Sequence, residues 1–373
     1  MNKGLHLSLL IGSTKASAVP RAVIEALTEV QVTSSASSQS GFQLKFTLGK
    51  RSVIAQELLP SGYFDPQRRV IIVATVQGTS HVLMDGVITK LDVVPGSESG
   101  ASTLSITGLD ISVHMDLVDL SGIPYPALAS PQRVLIILAK YALFGVVPLV
   151  IPTPLMLLEN PLKKFPKQQG TDLAYIRSLA SATGFVFYID PGPTPGMSVA
   201  YWGPEIRRGV VQPALSVNMD AATNVESLSF SYDGRARTKF LATIMLETPP
   251  IPIPIPVPDI PIFKPILAQQ AATIMTTRQI RVAKYSATEG IQIALAAVAG
   301  SSDAVTASGQ LDVLRYGHVL KARQLVAVRG AGDHFNGRYF VKSVTHNIKR
   351  GSYTQSFSLA RGGIKSDISR VPT

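Results

Sequence analysis

The side chains of this chain that are suited to catalysis or metal binding are few and widely separated. The absence of cysteine excludes disulfides, thiolate metal sites and cysteine nucleophiles. The six histidines are scattered along the sequence: His6, His81, His114, His318, His334 and His346. His114 has two acidic neighbours at short spacing, Asp116 and Asp119. Oxygen and imidazole ligands suit several metals, but a short cluster of this kind is more typical of a solvated turn.

Signatures of known catalytic machinery are also missing. The sequence contains no HExxH motif and no GxSxG elbow. The glycine-rich stretch 330–332 followed by Gly337 has neither Walker nor dinucleotide-binding spacing. Glu98, Asp110 and Asp116 have no partner that the sequence assigns across a cleft, although paired carboxylates of glycosidases meet only in three dimensions. We therefore expect no catalytic, cofactor-binding or metal-binding residues, no cofactor and no enzymatic activity.

The charge of the chain is basic but dispersed. Lys and Arg number 35 against 24 Asp and Glu, a formal net charge of +11, which suits acidic partners. The short clusters Lys163-Lys164 with Lys167 and Arg207-Arg208 lack the interleaved aromatic residues that stack bases, so we expect no specific nucleic-acid binding. Charged residues make up 16% of the chain, below the typical ~25%. This favours either a surface partly covered by partners or a large core with serine and threonine outside.

One apolar segment, Val134 to Leu158, is long enough to span a bilayer. It contains one lysine and three prolines: Lys140, Pro148, Pro152 and Pro154. Because such prolines break a helix, we predict a buried helix from about Ser130 to Phe144, then an extended strand or loop, and no stable membrane insertion. The apolar run Leu7 to Ile11 is shorter than the core of a signal peptide and predicts a first strand.

Residues 1–115 carry strand patterns. Phe42 to Phe46 alternates apolar and polar residues, and Val70 to Val76 is an apolar run typical of a strand buried on both faces. Asp85-Gly86 indicates a tight turn. A short helix is predicted only at Arg21 to Leu27.

Residues 116–200 have helical patterns. Pro131 marks a helix start, and a second helix is predicted with Thr171 as N-cap and Gly184 just past its end. Phe185 to Ile189 follows as a strand. This region is predicted to be a small α/β domain.

The remaining sequence returns to strands, with one interruption. Residues 201–245 are predicted as strands that join two barrels. Residues 246–308 hold a helix at Glu289 to Val298 and a stretch, 247–267, that alternates proline with isoleucine or valine. Alternating proline excludes a central strand and predicts an extended, polyproline-like connector lying on its own domain or on a neighbour. Residues 309–373 are again predicted as strands.

An internal repeat links the two strand-rich ends. At an offset of 251, Asp85-Gly86 falls on Asn336-Gly337 and Val93 falls on Val344. Further matches follow without a gap: Gly100 with Gly351, Thr103 with Thr354, Ser105 with Ser356, Ile106 with Phe357 and Thr107 with Ser358. With a gap, Arg69 to Val73 resembles Arg323 to Ala327. The repeat predicts a duplicated β-barrel, and duplicated modules build rings from few chains.

Several segments together resemble a known family. The helix-to-strand residues 171–180 and 184–188 are followed by Tyr201-Trp202-Gly203-Pro204 and residues 224–228. The C-terminal matches are residues 315–317, 326–330, 337–341, 344–346, 351–355 and 357–361. In this order they resemble phage tail hub proteins of the late control protein D family, which is related to the N-terminal half of VgrG. The resemblance runs from about residue 100 to the end and is weaker over the first barrel. The proline-rich segment 247–267 departs from the family pattern.

The resemblance implies a homotrimer that matches a six-fold inner tube to a three-fold spike. The expected fold class is α+β, mainly β, with two tube-like β-barrels and an inserted small α/β domain. The expected domains are 1–115, the first barrel; 116–200, the α/β domain; 201–245, joining strands; 246–308, the connector with its helical segment; and 309–373, the C-terminal part of the second barrel.

The same resemblance implies a structural role in the baseplate of a contractile tail or injection system. Its partners would be the inner tube protein, a separate spike protein and other baseplate proteins. It would be assembled in the bacterial cytoplasm and become part of a phage virion or a phage-like injection particle. A cell-wall hydrolase carried by a tail is the alternative function.

Overall fold

The computed structural model describes residues 4–96, 101–153, 166–245, 252–257, 265–271, 275–282, 287–300 and 303–368. Strands dominate these residues and helices are fewer, which confirms the predicted fold class of α+β, mainly β. The largest sheet has 13 strands, and three smaller sheets accompany it. The large sheet consists of two half-sheets, one from each end of the chain, which meet along a shared edge.

The first half-sheet comes from the N-terminal region. Its strands are β1 (Leu5–Gly12), β2 (Ala16–Ala18), β3 (Leu27–Ser35), β4 (Gly41–Gly49), β5 (Arg69–Val76), β6 (Thr79–Val94) and β7 (Ala101–Asp110). They lie in the order β3-β4-β7-β6-β5-β1-β2. The short helix α1 (Arg21–Ala26) precedes β3, as predicted. The alternation in β4 buries Phe42, Leu44 and Phe46 in the core.

Strand β5 is buried on both faces, as its apolar run predicts. The predicted turn at Asp85-Gly86 is wrong, because β6 runs straight through it. The chain turns instead at Gln77-Gly78, where φ is 48° and 84°, the pair of positive values that a type I′ turn requires. Asp85 is a buried counterion: its two carboxylate oxygens accept from Arg69 at 2.7 and 2.6 Å.

The small domain follows the first half-sheet. Its elements are α2 (Ser130–Ala139), β8 (Val146–Val150), α3 (Asp172–Thr183), β9 (Val186–Pro191) and β10 (Ser198–Gly203), with the strands in the order β8-β10-β9. The helix predicted to reach Phe144 ends at Ala139 and continues only as a 3-10 turn at Ala142–Phe144. Both helices contribute to the core cluster that contains Trp202, which is fully buried and donates to the Ile176 carbonyl of α3 at 3.3 Å.

The second half-sheet comes from the C-terminal region. Its strands are β11 (Val211–Ser216), β12 (Ser227–Tyr232), β17 (Val305–Asp312), β18 (Leu325–Arg329), β19 (Gly337–Lys349) and β20 (Ser352–Arg361). Their order is β12-β17-β20-β19-β18-β11. The one-turn helix α5 (Val313–Tyr316) follows β17. β11 and β12 thus belong to this sheet, while the division of the chain into the five domains given above stays a prediction.

A smaller sheet is inserted between β12 and β17. It contains β13 (Arg237–Met245), β14 (Pro252–Pro256) and β16 (Met275–Arg281), and the helix α4 (Ala287–Ala299) follows; β15 (Gln270–Ala271) pairs with β21 (Gly363–Ile364) elsewhere. The predicted helix at Glu289 to Val298 is therefore confirmed. The proline-rich segment supplies β14, which lies at the sheet edge and not in its centre, as predicted. It pairs with β13 as a strand, however, where a polyproline-like connector was predicted. Residues 247–251 and 258–264 of that segment lie outside the described residues.

The two half-sheets repeat one strand plan. The offset of 251 that the sequence indicates relates both ends of β7 to both ends of β20. The strands that precede β7 and β20 in the chain each contain a β-bulge, at Thr89 in β6 and at Lys342 in β19. The bulges show that the five strands β3 to β7 correspond to β12 and β17 to β20.

The bulges also correct the register of three of the predicted matches. Lys90 corresponds to Ser343, so the matches of Asp85-Gly86 with Asn336-Gly337 and of Val93 with Val344 are both displaced by two residues. Arg69 corresponds to Leu325, and not to Arg323. The physical reason lies in two connections that are longer in the first half-sheet. The connection between β6 and β7 adds two residues relative to that between β19 and β20, and the hairpin of β5 and β6 adds three more relative to that of β18 and β19.

Candidate assembly surface

Strand β19 changes partners along its length. Its first part, Gly337 to Phe340, pairs with β18, and the stretch from Ser343 to Lys349 pairs antiparallel with β3. The bulge at Lys342 lies between the two stretches, and bulges bend a strand and increase its twist. This pairing of β19 with β3, called the junction below, makes one sheet of the two halves.

The outer face of the junction is held by matched polar pairs. The hydroxyls of Thr33 and Thr345 lie 3.0 Å apart, and Gln31 donates to Asn347 at 3.2 Å. At the end of the junction the ammonium of Lys349 lies 3.5 Å from the carboxylate of Glu29. The hydrogen bond from Lys45, assisted by both lysine charges, lowers the pKa of Glu29.

The inner face of the junction is apolar. Val30 and Val32 of β3 and Val344 of β19 are at most 1% exposed. They belong to a core cluster that contains side chains of both half-sheets. The junction therefore joins two halves of one hydrophobic core, and hydrogen bonding is only part of what it supplies.

Two strand edges that correspond to the junction remain open. Beyond Val87, β6 pairs with β7 on one side, and no other strand of the described residues pairs with its other side. β12 likewise pairs with β17 alone within the described part of the chain. Open edges present unpaired backbone donors and acceptors, and they are sites at which another strand can add.

Apolar side chains reach the surface at both open edges. Val93 and Val94 of β6 are 45% and 60% exposed, and Tyr232 of β12 is 39% exposed. Leu91 and Phe230 lie two residues before Val93 and Tyr232 on the same strands, and both are partly buried against the core cluster. Sequence patterns did not single out these edges, because they are recognised only by comparison with the pairing of β19 and β3. That pairing joins distant parts of the chain.

A third edge, that of β14, is closed by proline. In the ladder with β13, Ile253 lies opposite Ile244 and Ile255 opposite Ala242. Because the prolines have no N–H, only the isoleucines can donate to β13, and the nitrogens of Pro252, Pro254 and Pro256 face outward. The outer edge of β14 therefore offers no backbone donor, which is a known protection against unwanted strand addition.

A polar cavity of about 200 Å³ lies where the small domain meets both half-sheets. The guanidinium of Arg323 forms an ion pair with Asp190 of the small domain, donates to the Ser35 carbonyl and lies 4.1 Å from the ring centre of Tyr188. These contacts fix the small domain to the junction.

His346 lines the same cavity and is buried. Its Nδ1 lies 2.7 Å from the Tyr353 hydroxyl and 3.2 Å from the Gln355 amide nitrogen. Burial lowers the pKa of His346 to about 3, so the imidazole is neutral near pH 7. Its surroundings are those of a histidine that stabilises the fold.

The other residues weighed as metal ligands are separately engaged. His114 stacks on Phe144 with ring centres 4.4 Å apart. Asp116 accepts from Thr171 at 2.6 Å, and Asp119 accepts from the Ser121 amide at 2.8 Å. Within the described ranges, His, Asp and Glu side chains nowhere gather in a group of three suited to a metal ion.

The remaining sequence candidates are explained in the same way. Asp110 accepts from the Ser40 and Ser112 amides, and its burial raises its pKa. Glu98 lies outside the described residues. Arg207, from one of the short basic clusters, is buried and forms a two-pronged ion pair with Asp303 at 2.5 and 2.8 Å, so it is not part of a surface patch. In the described residues no helix is both long and apolar enough to cross a membrane.

Comparison with known proteins identifies the fold of the chain through solved structures. No protein-family model and no curated protein sequence matches the chain. Among solved structures, the tail protein of Neisseria meningitidis MC58 is 13% identical with a TM-score of 0.63, over 97% of this chain and 98% of that one. The 43 kDa tail protein of prophage MuSo2 from Shewanella oneidensis is 13% identical with a TM-score of 0.59, over 97% and 100%.

A third similar structure comes from a secretion machine. It is an Escherichia coli component of the type VI secretion system, itself described as similar to bacteriophage T4 tail proteins. It is 12% identical with a TM-score of 0.52, over 93% of this chain and 76% of that one. At these identities the likeness establishes that the chain has the fold of phage tail and type VI secretion proteins.

Proposed function

We propose that this chain is a structural hub subunit in the baseplate of a contractile tail or phage-like injection system, of the late control protein D type. Its likeness to two tail proteins extends over nearly the whole of all three chains, which supports a whole-protein relationship and not a shared module. The proposal includes assembly in the bacterial cytoplasm and incorporation into a virion or injection particle.

The observation that carries the proposal is the duplication. One chain holds two half-sheets with the same strand order and the same bulge, joined side by side at the junction. Three such chains in a ring present six equivalent half-sheets, although the ring itself has only three-fold symmetry. A trimer of this kind matches a six-fold inner tube on one face and a three-fold spike on the other.

A symmetry adaptor has to keep its geometry, and the contacts between the parts suit that role. The Arg69–Asp85 ion pair is buried, and the same guanidinium donates to the Gly196 carbonyl of the small domain at 3.0 Å. Ser198 of the small domain donates to Asp85 at 3.1 Å. With the contacts of Arg323, the small domain is tied to both half-sheets by charged hydrogen bonds, which are stronger than neutral ones.

The test is co-expression with the inner tube and spike proteins of the same tail or injection system. Native mass spectrometry of the purified complex is expected to give three copies of this chain per spike trimer, and electron microscopy a six-fold ring facing the tube. A stable monomer inside an assembled baseplate would contradict the proposal.

The alternative function is that of a tail-associated cell-wall hydrolase. A peptidoglycan turbidity assay on the same purified protein distinguishes it from a structural hub. A structural hub leaves the turbidity unchanged. Clearing that persists through purification to homogeneity would favour the hydrolase.

A further inference from the structure

We propose that the polar cavity between the small domain and the two half-sheets binds a small tetrahedral oxyanion of the phosphate class, with Lys321 and His81 as its ligands. The inference goes beyond the proposed hub function and does not depend on it. It assigns a binding site to residues that lie far apart in the sequence.

The cavity borders on all three parts of the protein. Its walls are Ser34 and residues 81–83 of the first half-sheet, residues 319–324 and His346 of the second, and residues 190–191 of the small domain. Its volume of about 200 Å³ is several times the ~30 Å³ that a water molecule occupies in the liquid. The cavity therefore has room for an anion of several heavy atoms, and such an anion would contact all three parts.

The lining carries a surplus of positive charge. Arg323 and Asp190 form an ion pair, so their charges cancel. Lys321 then remains, together with the imidazoles of His81 and His346, while Asp190 is the one acidic residue that the described part of the chain contributes to the lining. A cleft lined by charge of one sign attracts ions of the opposite sign, and the ligand class is therefore anionic.

The basic groups around the cavity also repel one another. Burial lowers the pKa of His81, and the charges of Lys321 and His318 lower it further. The charge of His81 in turn acts in the same direction on the pKa of His346, after the larger effect of burial. Like charges close together disfavour the charged form of each group. An oxyanion that accepts from both Lys321 and His81 removes this repulsion.

The loop that presents Lys321 is held in place by two glutamine side chains. The fully buried Gln355 donates to the Leu320 carbonyl at 2.8 Å and accepts from the Leu320 N–H at 3.0 Å. Gln212 holds the next residue in the same way: it donates to the Lys321 carbonyl at 3.0 Å and accepts from the Lys321 N–H at 2.8 Å. A backbone that is fixed before binding lowers the entropic cost of binding, as in a preformed site.

The direction of the donors favours a tetrahedral anion. The ammonium of Lys321 has three N–H donors, and the side chains of His81, Ser34 and Gln324 add donors from other walls of the cavity. A phosphate offers oxygens in four directions, whereas a carboxylate offers two in one plane. Lysine is also a common phosphate ligand. The carboxylate of a neighbouring protein is the competing occupant.

Isothermal titration calorimetry of the purified chain with sodium phosphate tests the inference, near pH 7 and at constant ionic strength. We expect saturable binding of one phosphate per chain. The melting temperature should also rise with phosphate more than with sodium chloride of equal ionic strength, because a ligand that binds only the folded state stabilises it. Sodium acetate, the probe for a carboxylate, should bind more weakly than phosphate.

Lys321→Gln is the principal variant, because this residue is exposed and its replacement leaves the contacts of Arg323 in place. It should weaken phosphate binding about tenfold or more, which is the effect of losing one charged hydrogen bond. Lys50→Gln is the matched control: it removes the same charge from an exposed lysine that does not line the cavity, and it should bind phosphate as the native chain does. His81→Asn is a second variant that should also bind more weakly. Thermal unfolding verifies that each variant is folded.

Four results would overturn the inference. The first is no saturable phosphate binding by the folded native chain, and the second is unchanged affinity in both Lys321→Gln and His81→Asn. The third is an equal loss in Lys321→Gln and Lys50→Gln, which means general attraction of anions to a basic protein. The fourth is equal or tighter binding of acetate, which assigns the cavity to a carboxylate. The proposed hub is unaffected by any of them, since its own failure appears in the mass of the assembled complex.

Discussion

Gln67 and Arg323 occupy the same position in the two half-sheets. Each donates its backbone N–H over 2.8 Å to the carbonyl of the residue just before the bulge, Ile88 in one half and Val341 in the other. Each also has positive φ, 72° for Gln67 and 65° for Arg323. Both half-sheets thus keep a backbone conformation that is unfavourable for L-residues. This indicates that the bulged strand needs the backbone hydrogen bond from this position in both halves.

Replacing Gln67 by glycine is expected to stabilise the protein. Glycine adopts positive φ without a steric penalty, whereas other residues are disfavoured there by about 1–2 kcal/mol. The greater freedom of glycine in the unfolded chain offsets part of this gain, so Gln67→Gly should raise the free energy of unfolding by about 0.5–1 kcal/mol. The side chain of Gln67 is exposed, which confines the effect to the backbone. Urea unfolding monitored by circular dichroism measures it.

The matched variant is Gln67→Ile, whose branched side chain is least compatible with positive φ. It should lose about 1 kcal/mol or more. Equal midpoints for the glycine and isoleucine variants would show that the backbone at this position is not constrained in solution.

Removing the charge of Asp85 is expected to be strongly destabilising. Asp85→Asn leaves the Arg69 guanidinium buried without its counterion, and breaking such a pair costs about 3–5 kcal/mol. Glu25→Gln is the control, because the Arg21–Glu25 pair has side chains that are 92% and 61% exposed and exposed pairs contribute at most about 1 kcal/mol. Thermal unfolding of both variants gives the comparison, and similar losses would contradict the assigned role of Asp85.

Local patterns predicted the elements whose signals lie within a few residues. Thr171 accepts from the Ala174 amide at 3.2 Å as the N-cap of α3, and Gly184 ends that helix with φ of 70°, both as expected. The buried strand β5 and the outline of the repeat were also visible, because alternation and apolar runs report directly on burial.

Long-range pairing is what local patterns missed. Asp85-Gly86 has the composition of a turn, and only its contact with Arg69 explains why an acidic residue lies inside a strand. The open edges were invisible for the same reason: the exposure of Val93 and Tyr232 is meaningful only once β19 is known to pair with β3. Local patterns do not show which strands pair.

The stability of the fold is expected to fall in acid, partly through His346. Its pKa is about 3 in the folded chain against a usual 6.5, so between these values the unfolded chain binds a proton that the folded chain does not. The free energy of unfolding therefore decreases as pH falls from about 6.5 towards 3, by up to about 1.4 kcal/mol per pH unit for one such group.

His346→Gln removes this titration and keeps a polar side chain near Tyr353. Urea midpoints measured across the acidic range should depend less steeply on pH in the variant than in the native chain. Burial also lowers the pKa values of His81 and His114, so part of the slope should persist. An unchanged slope in His346→Gln would mean that this imidazole is already protonated in the folded chain.

We expect the prolines on the outer edge of β14 to protect the protein from aggregation. Pro254→Thr introduces a backbone N–H that faces away from β13, and an exposed edge with donors is a template for strand addition. Light scattering on incubation should therefore show faster aggregation than in the native chain. Ile255→Thr is the matched control, because the N–H of residue 255 already faces β13 and the substitution adds no outward donor. It should aggregate no faster than the native chain. If both variants behave alike, the prolines protect this edge by some means other than the missing donor.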